Sequence, residues 1–264
     1  MSKKSDFLNT KKAAILFAAL GITIFLCIWQ FTVSFTRVGV LLPGPIEVIQ
    51  FFFASFYRPI GRHTMPMHAL YSLRRVLVGY SIGVSLGVIF GVGMGVSKYF
   101  EAIFKPIFEM LRPIPTIAWI PIAILWFGVG DLSKYFIIFY GTFANVTLNS
   151  YAGVKRVDPV LLGAAKMLGA TDRQLLPMVI LPATVPSIFA GMQTGLSAGW
   201  MGVIAAEMIR STEGLGWIII MGQEVANTPQ ILGGMVAIAI FGFLLATGMR
   251  ILERKILRWN ERSG

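Results

Sequence analysis

Ionisable side chains are scarce in this 264-residue chain: 13% of residues are charged and 56% are hydrophobic, whereas soluble domains carry about 25% charged residues. The few polar groups in or beside long apolar runs therefore mark the places where chemistry could occur. An ionisable group at the centre of a membrane helix costs about 2.5–3.5 kcal/mol on insertion scales, so it is placed there for function or pairing. The candidates are Arg74, Arg75 and Glu207, with Asn145, Asn149 and Gln193 as uncharged hydrogen-bonding groups. Such residues suit the wall of a translocation path, and an arginine there would favour an anionic solute. Arg74 and Arg75 stand at the outer end of the second apolar run, where an arginine can also snorkel to lipid headgroups. Glu207 stands where the fifth run ends, placed to pair or cap, while Gln193 and Asn149 suit hydrogen bonds between helices.

Catalysis finds no comparable set. The chain has no G-x-x-x-x-G-K-[ST] loop to cradle nucleotide phosphates, no H-E-x-x-H and no G-x-S-x-G. His63 and His68 lie near Met65 and Met67, but two histidines supply too few strong ligands for a metal site. Cys27 is the sole cysteine, which excludes an intrachain disulfide and a C-x-x-C redox pair. The composition also excludes a disordered chain and a water-soluble enzyme of ordinary make-up.

A helix that spans a membrane needs about 20 mainly apolar residues. Six runs meet or approach that length, at about 13–35, 76–97, 114–130, 135–153, 184–207 and 231–250. The first follows Lys3, Lys4, Lys11 and Lys12, like the start of a signal peptide, but no small-residue cleavage site follows it, so it is read as a retained helix. The third is interrupted by Pro106, Pro113, Pro115 and Pro121 and is expected to be kinked and buried. The net charge of +11 could suggest nucleic acid, yet 16 of the 23 basic residues fall in segments on one side of these runs and 7 on the other. That asymmetry is a topology signal and places both termini in the cytoplasm; no nucleic-acid module competes with it. The expected organisation is all-α and integral to the membrane: a cytoplasmic arm at 1–12, a six-span domain at 13–250 and a cytoplasmic tail at 251–264.

Two glycine ladders run through this domain. Gly79, Gly83, Gly87, Gly91 and Gly95 recur every four residues in the second run, and Gly191, Gly195 and Gly199 do so in the fifth. Each clears one face of a helix for the close approach of another backbone. The inner segment at 154–177 is unusual for a connection between spans. Asp158 followed by Pro159 starts a short helix whose Leu161, Leu162, Ala165 and Leu168 share a face; Gly169 supplies the stop, Thr171 or Asp172 caps a second piece, and Pro177 and Pro182 break it again. An amphipathic helix held there would lie at the lipid interface or dock in a groove of a partner.

The segment Gly163-Ala164-Ala165 with Gly169-Ala170 and the later Ile180-Leu181-Pro182 resembles the E-A-A loop of ABC importer permeases, except that Gly163 occupies the position of that family's glutamate. Further pieces resemble the nitrate, sulfonate, taurine and bicarbonate group: Leu42-Pro43-Gly44-Pro45, His68-x-x-x-Ser72-Leu73-x-Arg75, Leu111-Arg112-Pro113-Ile114-Pro115, Trp119-Ile120-Pro121, Trp126-Phe127-Gly128-x-Gly130, Ala206-Glu207 and Glu213-Gly214-Leu215-Gly216-Trp217. The resemblance implies a type I importer permease fold and a coupling helix from Pro159 to Arg173 that seats in a cytoplasmic ATPase. It also implies that the chain sits in the bacterial inner membrane with a second permease subunit, as a homodimer or close heterodimer, and that an extracytoplasmic binding protein delivers the solute. ATP and Mg would be bound by the ATPase, and no cofactor by this chain. Two other classes remain in view. An ion-coupled secondary transporter would show related halves and acidic residues within the spans, and a membrane enzyme would show a nucleophile with its base.

Overall fold

A computed structural model describes residues 11–257; the expected arm lies largely outside them, and the first half of the expected tail continues the last helix to Ile256. Eleven α-helices lie among the described residues: α1 Lys11–Phe35, α2 Pro45–Ala54, α3 Met65–Val96, α4 Lys98–Leu111, α5 Ile120–Phe127, α6 Asp131–Lys155, α7 Pro159–Met167, α8 Asp172–Leu175, α9 Leu181–Ile209, α10 Leu215–Glu224 and α11 Thr228–Ile256. Among the described residues the only bridge of β type is an isolated one between Ile60 and His63.

The core is a three-helix layer with α6 in the middle. A Cβ added at Gly79, Gly83 or Gly87 of α3 would lie 2.7, 2.7 or 2.8 Å from Ile138, Thr142 or Val146 of α6, and one at Gly91 or Gly95 would meet Ser150 or Val154 at 2.6 or 2.5 Å. Both series advance by four in the same direction, so α3 and α6 run parallel with the β-branched and serine side chains of one seated in the glycine notches of the other. On the opposite flank the order reverses. Gly191 of α9 faces Asn149, Gly195 faces Thr142, and Gly199 faces Thr142 and Ile138, which makes α9 antiparallel to α6. Thr142, Thr147 and Ser150 are fully buried between the two flanks.

Parallel packing of α3 and α6 forces the connecting chain back through the thickness of the bundle, and α4 and α5 do this as a broken pair. Along α4, Glu101 pairs with Lys155, Phe108 packs on Phe143, and the Leu111 carbonyl accepts from the Tyr140 hydroxyl. The helix thus climbs α6 from its end to its middle. There the chain turns through Pro113 and Pro115 into a 3-10 turn, Thr116–Trp119, and α4 and the segment Thr116–Phe127 meet at 93°.

Three expected spans change as a result. The second starts at Met65 rather than 76, because Pro66 falls at a helix N-terminus, where its missing N–H costs nothing. The third is not one helix over 114–130 but this broken pair. The fifth does not break at Pro177 or Pro182: α8 runs through a π-helical turn at Leu176–Ile180 into α9, giving one helical segment, Asp172–Ile209. By length and apolarity four helices could cross a membrane, Ala13–Phe35, Met65–Val96, Asp172–Ile209 and Thr228–Ile256, and the broken pair makes five. α6 is outside that count because Thr142, Asn145, Thr147, Asn149 and Ser150 lower its apolarity, and three of these, Thr142, Thr147 and Ser150, are fully buried.

Replacing Gly83 with leucine should force α3 off α6 and destabilise the protein by at least about 1–3 kcal/mol, read as a lower melting temperature and aggregation in detergent. Gly21→Leu, with nothing within 4 Å of the added Cβ, should melt like the wild type.

Candidate functional site

Two features stand at opposite ends of this layer. The first lies where α3 and α6 begin and α9 ends. Arg75 sits ten residues into α3, so its side chain turns into the protein and is 2% exposed; the expected snorkelling to headgroups does not occur. Its guanidinium donates Nε to Asp131 at 2.8 Å, Nη1 to Glu207 at 2.8 Å and to the Glu213 carbonyl at 3.1 Å, and Nη2 to the Glu213 carboxylate at 2.9 Å. A planar fork with several fixed donors suits such convergent binding, which a lysine could not reproduce.

Glu207 is 1% exposed and fully engaged. Beyond Arg75 it accepts from the Ser72 hydroxyl at 2.9 Å and from the Gly216 N–H at 3.0 Å. A Cβ on Gly214 would fall 2.3 Å from the Glu207 carboxyl carbon, and its φ of +112° lies in the region that favours glycine. The turn before α10 is therefore built to let the backbone close over the carboxylate. His68 completes the seal. The Gly214 N–H donates to its Nδ1 at 3.1 Å, so the neutral ring carries its proton on Nε2 and donates to the Ile60 carbonyl at 3.0 Å. Trp217 stacks on the ring at 5.2 Å. Lys134, also buried, reaches Ser211 at 3.0 Å and Asp131 at 3.8 Å. Every charge of the cluster is thus paired, and its work is to lock four elements together; among the described residues no group of three or more His, Cys, Asp or Glu could hold a metal.

The second feature follows the other end of α6. Asp158 caps α7 by accepting from the Val160 N–H at 2.8 Å, and Pro159 occupies the first turn. Gly169 ends the helix with a φ of +88°. Thr171 and Gln174 form a capping box that starts α8, and Lys166 pairs with Asp172 at 2.9 Å across the turn. α7 stands away from the bundle. Leu161, Met167 and Leu168 are exposed, Leu168 by 90%, while Leu162 and Ala165 are half-buried. Gly163 has open space around it, and Ala164 and Arg173 are exposed.

The remaining candidates scatter. Arg74 is exposed on α3, Asn149 donates to the Asn145 carbonyl one turn back at 2.9 Å, and Gln193 donates to Glu253 of α11. Of the proposed path residues only Arg75 and Glu207 come together, in this ion-paired cluster, and Arg75 also borders a cavity of about 630 Å³ with Asp131, Lys134 and Glu213. Sequence reasoning missed Asp131, Lys134 and Glu213 as partners, although the spacing of His68, Ser72 and Arg75 puts all three near one face of a helix.

Arg75→Ala should leave Glu207 buried without its counter-charge and cost about 3–5 kcal/mol, whereas the double variant Arg75→Met, Glu207→Leu should recover much of that loss. Melting of the three purified proteins in detergent measures both effects.

Comparison with known proteins agrees with this architecture. Residues 83–260 match the family model described as binding-protein-dependent transport system inner membrane component. A putative ABC transporter permease protein of Methanocaldococcus jannaschii is 32% identical over 96% of this chain and 95% of its own length. The taurine transport system permease protein TauC of Escherichia coli is 41% identical over 58% of this chain and 55% of its own. A putative aliphatic sulfonates transport permease protein SsuC of Bacillus subtilis is 32% identical over 90% of this chain and 85% of its own. Among solved structures, a chain of the inward-facing MetNI methionine ABC transporter superposes with a TM-score of 0.63 at 18% identity, covering 73% of this chain and 96% of that one. The chain belongs to the family of binding-protein-dependent transport system inner membrane components, and it is a multi-pass permease subunit of an ABC transporter.

Proposed function

We propose that the chain crosses the bacterial inner membrane six times with both termini in the cytoplasm, and that two copies enclose a path for a small anion. The parallel packing of α3 and α6 supports a crossing by the broken α4–α5 pair, and α6 and α9 then supply the next two. With Arg112 assigned to the break in the third crossing, 15 of the other 22 basic residues lie on one side, and that excess supports the orientation. It puts α7 in the cytoplasm and the Arg75 cluster on the outer side. Taurine and aliphatic sulfonates, named for two of the relatives, suggest the class of solute. An extracytoplasmic binding protein would deliver it.

The observation that carries this function is α7: a capped helix with an uncovered apolar face, joined to α6 and, through α8 and the π-helical turn, to α9. A helix of this kind docks in a groove of a partner, here a cytoplasmic ATPase dimer that binds ATP and Mg. When ATP binding closes that dimer, movement of α7 passes to α6 and α9 together, since the glycine notches join their backbones, and the path opens to the other side. The ATPase must hold α7 differently in its two nucleotide states, because equal affinity shifts no equilibrium. Gly163, in place of the glutamate of related loops, leaves that contact to Leu161, Leu168 and the capping residues.

Gly169→Val, at a left-handed backbone position, should abolish solute uptake and uncouple ATP hydrolysis while membrane insertion is kept. Leu161→Asp with Leu168→Asp should prevent co-purification of the ATPase. Normal uptake by the Gly169 variant, or an ATPase retained by the double variant, would sink the coupling role of α7.

A further inference from the structure

The break between α4 and α5 leaves a cavity of about 230 Å³ beside the middle of α6, with Arg112, Thr116, Tyr140 and Asn145 in its wall and no carboxylate. Thr116 packs against Gly141 and Gly202, which puts the break near the midpoint of α6 and close to α9. Arg112 is exposed and makes no ion pair among the described residues. An unpaired guanidinium at that depth is costly against lipid and is retained where it faces water or a ligand. Irregular backbone at membrane depth likewise occurs where it lines a cavity, and broken helices hold solutes in other transporters.

A second cavity of about 160 Å³ adjoins the first and shares Arg112, Tyr140 and Ala144 with it. Its other walls are apolar apart from Thr147, and half of them are aromatic: Phe90, Phe104, Phe108 and Phe143. One side of Arg112 is therefore polar and the other greasy. We propose that Arg112 receives the oxyanion head of an organic sulfonate in the polar cavity while a short alkyl tail enters the aromatic one. Nitrate has no tail to place there, and the ammonium of taurine finds no carboxylate in either wall. The site rests on the permease function above and narrows it to alkanesulfonates.

Binding of radiolabelled butanesulfonate to the permease–ATPase complex in nanodiscs, with no binding protein present, tests this site. The wild type should bind saturably and in preference to taurine and nitrate. Arg112→Gln should weaken binding about tenfold or more, the effect of losing a charge-assisted hydrogen bond, and Arg112→Lys should weaken it less. Ala144→Met, at the junction of the two cavities, should reduce binding of butanesulfonate and spare methanesulfonate. Equal binding by wild type and Arg112→Gln, as for partition into lipid only, would overturn the site; so would equal losses of both sulfonates in Ala144→Met, or a preference for taurine or nitrate. If the wild-type chain fails to retain any ATPase, the permease function itself is overturned, an outcome separate from those.

Discussion

The structure depends on how closely α6 can be held. In lipid the hydrophobic effect does not drive helices together, so association rests on van der Waals packing and on hydrogen bonds made at short range. Five glycines of α3 and three of α9 allow that range on both sides of one helix, with added Cβ atoms that would fall as near as 2.5 Å to α6. The polar residues Thr142, Thr147 and Ser150 are tolerated in α6 because neither flank exposes them to lipid. Such packing is stiff, and a displacement of either end of α6 is carried to its neighbours.

Two devices sit at the ends of this rigid layer and differ in their chemistry. At one end Arg75 ties α3 to the start of α6, the end of α9 and the turn before α10 through three carboxylates. A buried ion pair adds little net stability over an apolar replacement, since desolvation offsets most of the attraction. Its value lies in geometry: the guanidinium fork accepts only one arrangement of its partners. At the other end α7 is joined to the layer by short connections and leaves its apolar face uncovered. One end is closed by specific polar contacts, and the other presents exposed apolar side chains.

Between them lies the broken α4–α5 segment. Its prolines remove backbone donors and turn the chain by 93°, leaving space beside α6 that a continuous helix would fill. The same prolines that break this pair of helices thereby make room beside α6.

Much of this was legible from residue order alone. Apolar runs located α1, α3, α9 and α11; the four-residue recurrence of glycine marked the tight faces; and Asp158-Pro159 with Gly169 delimited α7, since capping and left-handed backbone are local demands. The full extent of α3 and the passage of α9 through Pro177 were not, because proline is compatible with a helix start and with a π turn as well as with a break. Nor was the fate of Arg75. Its burial depends on Asp131, Glu207 and Glu213, 56 to 138 positions away in sequence, and only packing in three dimensions brings them together. The amino-acid sequence by itself determined the family, the helical class and the bounds of α7, which follow from composition and short-range spacing. The tertiary structure decided which charges are locks, that Arg112 is left without an ion pair among the described residues and where a cavity opens beside α6, because those depend on distances between helices that no local pattern encodes.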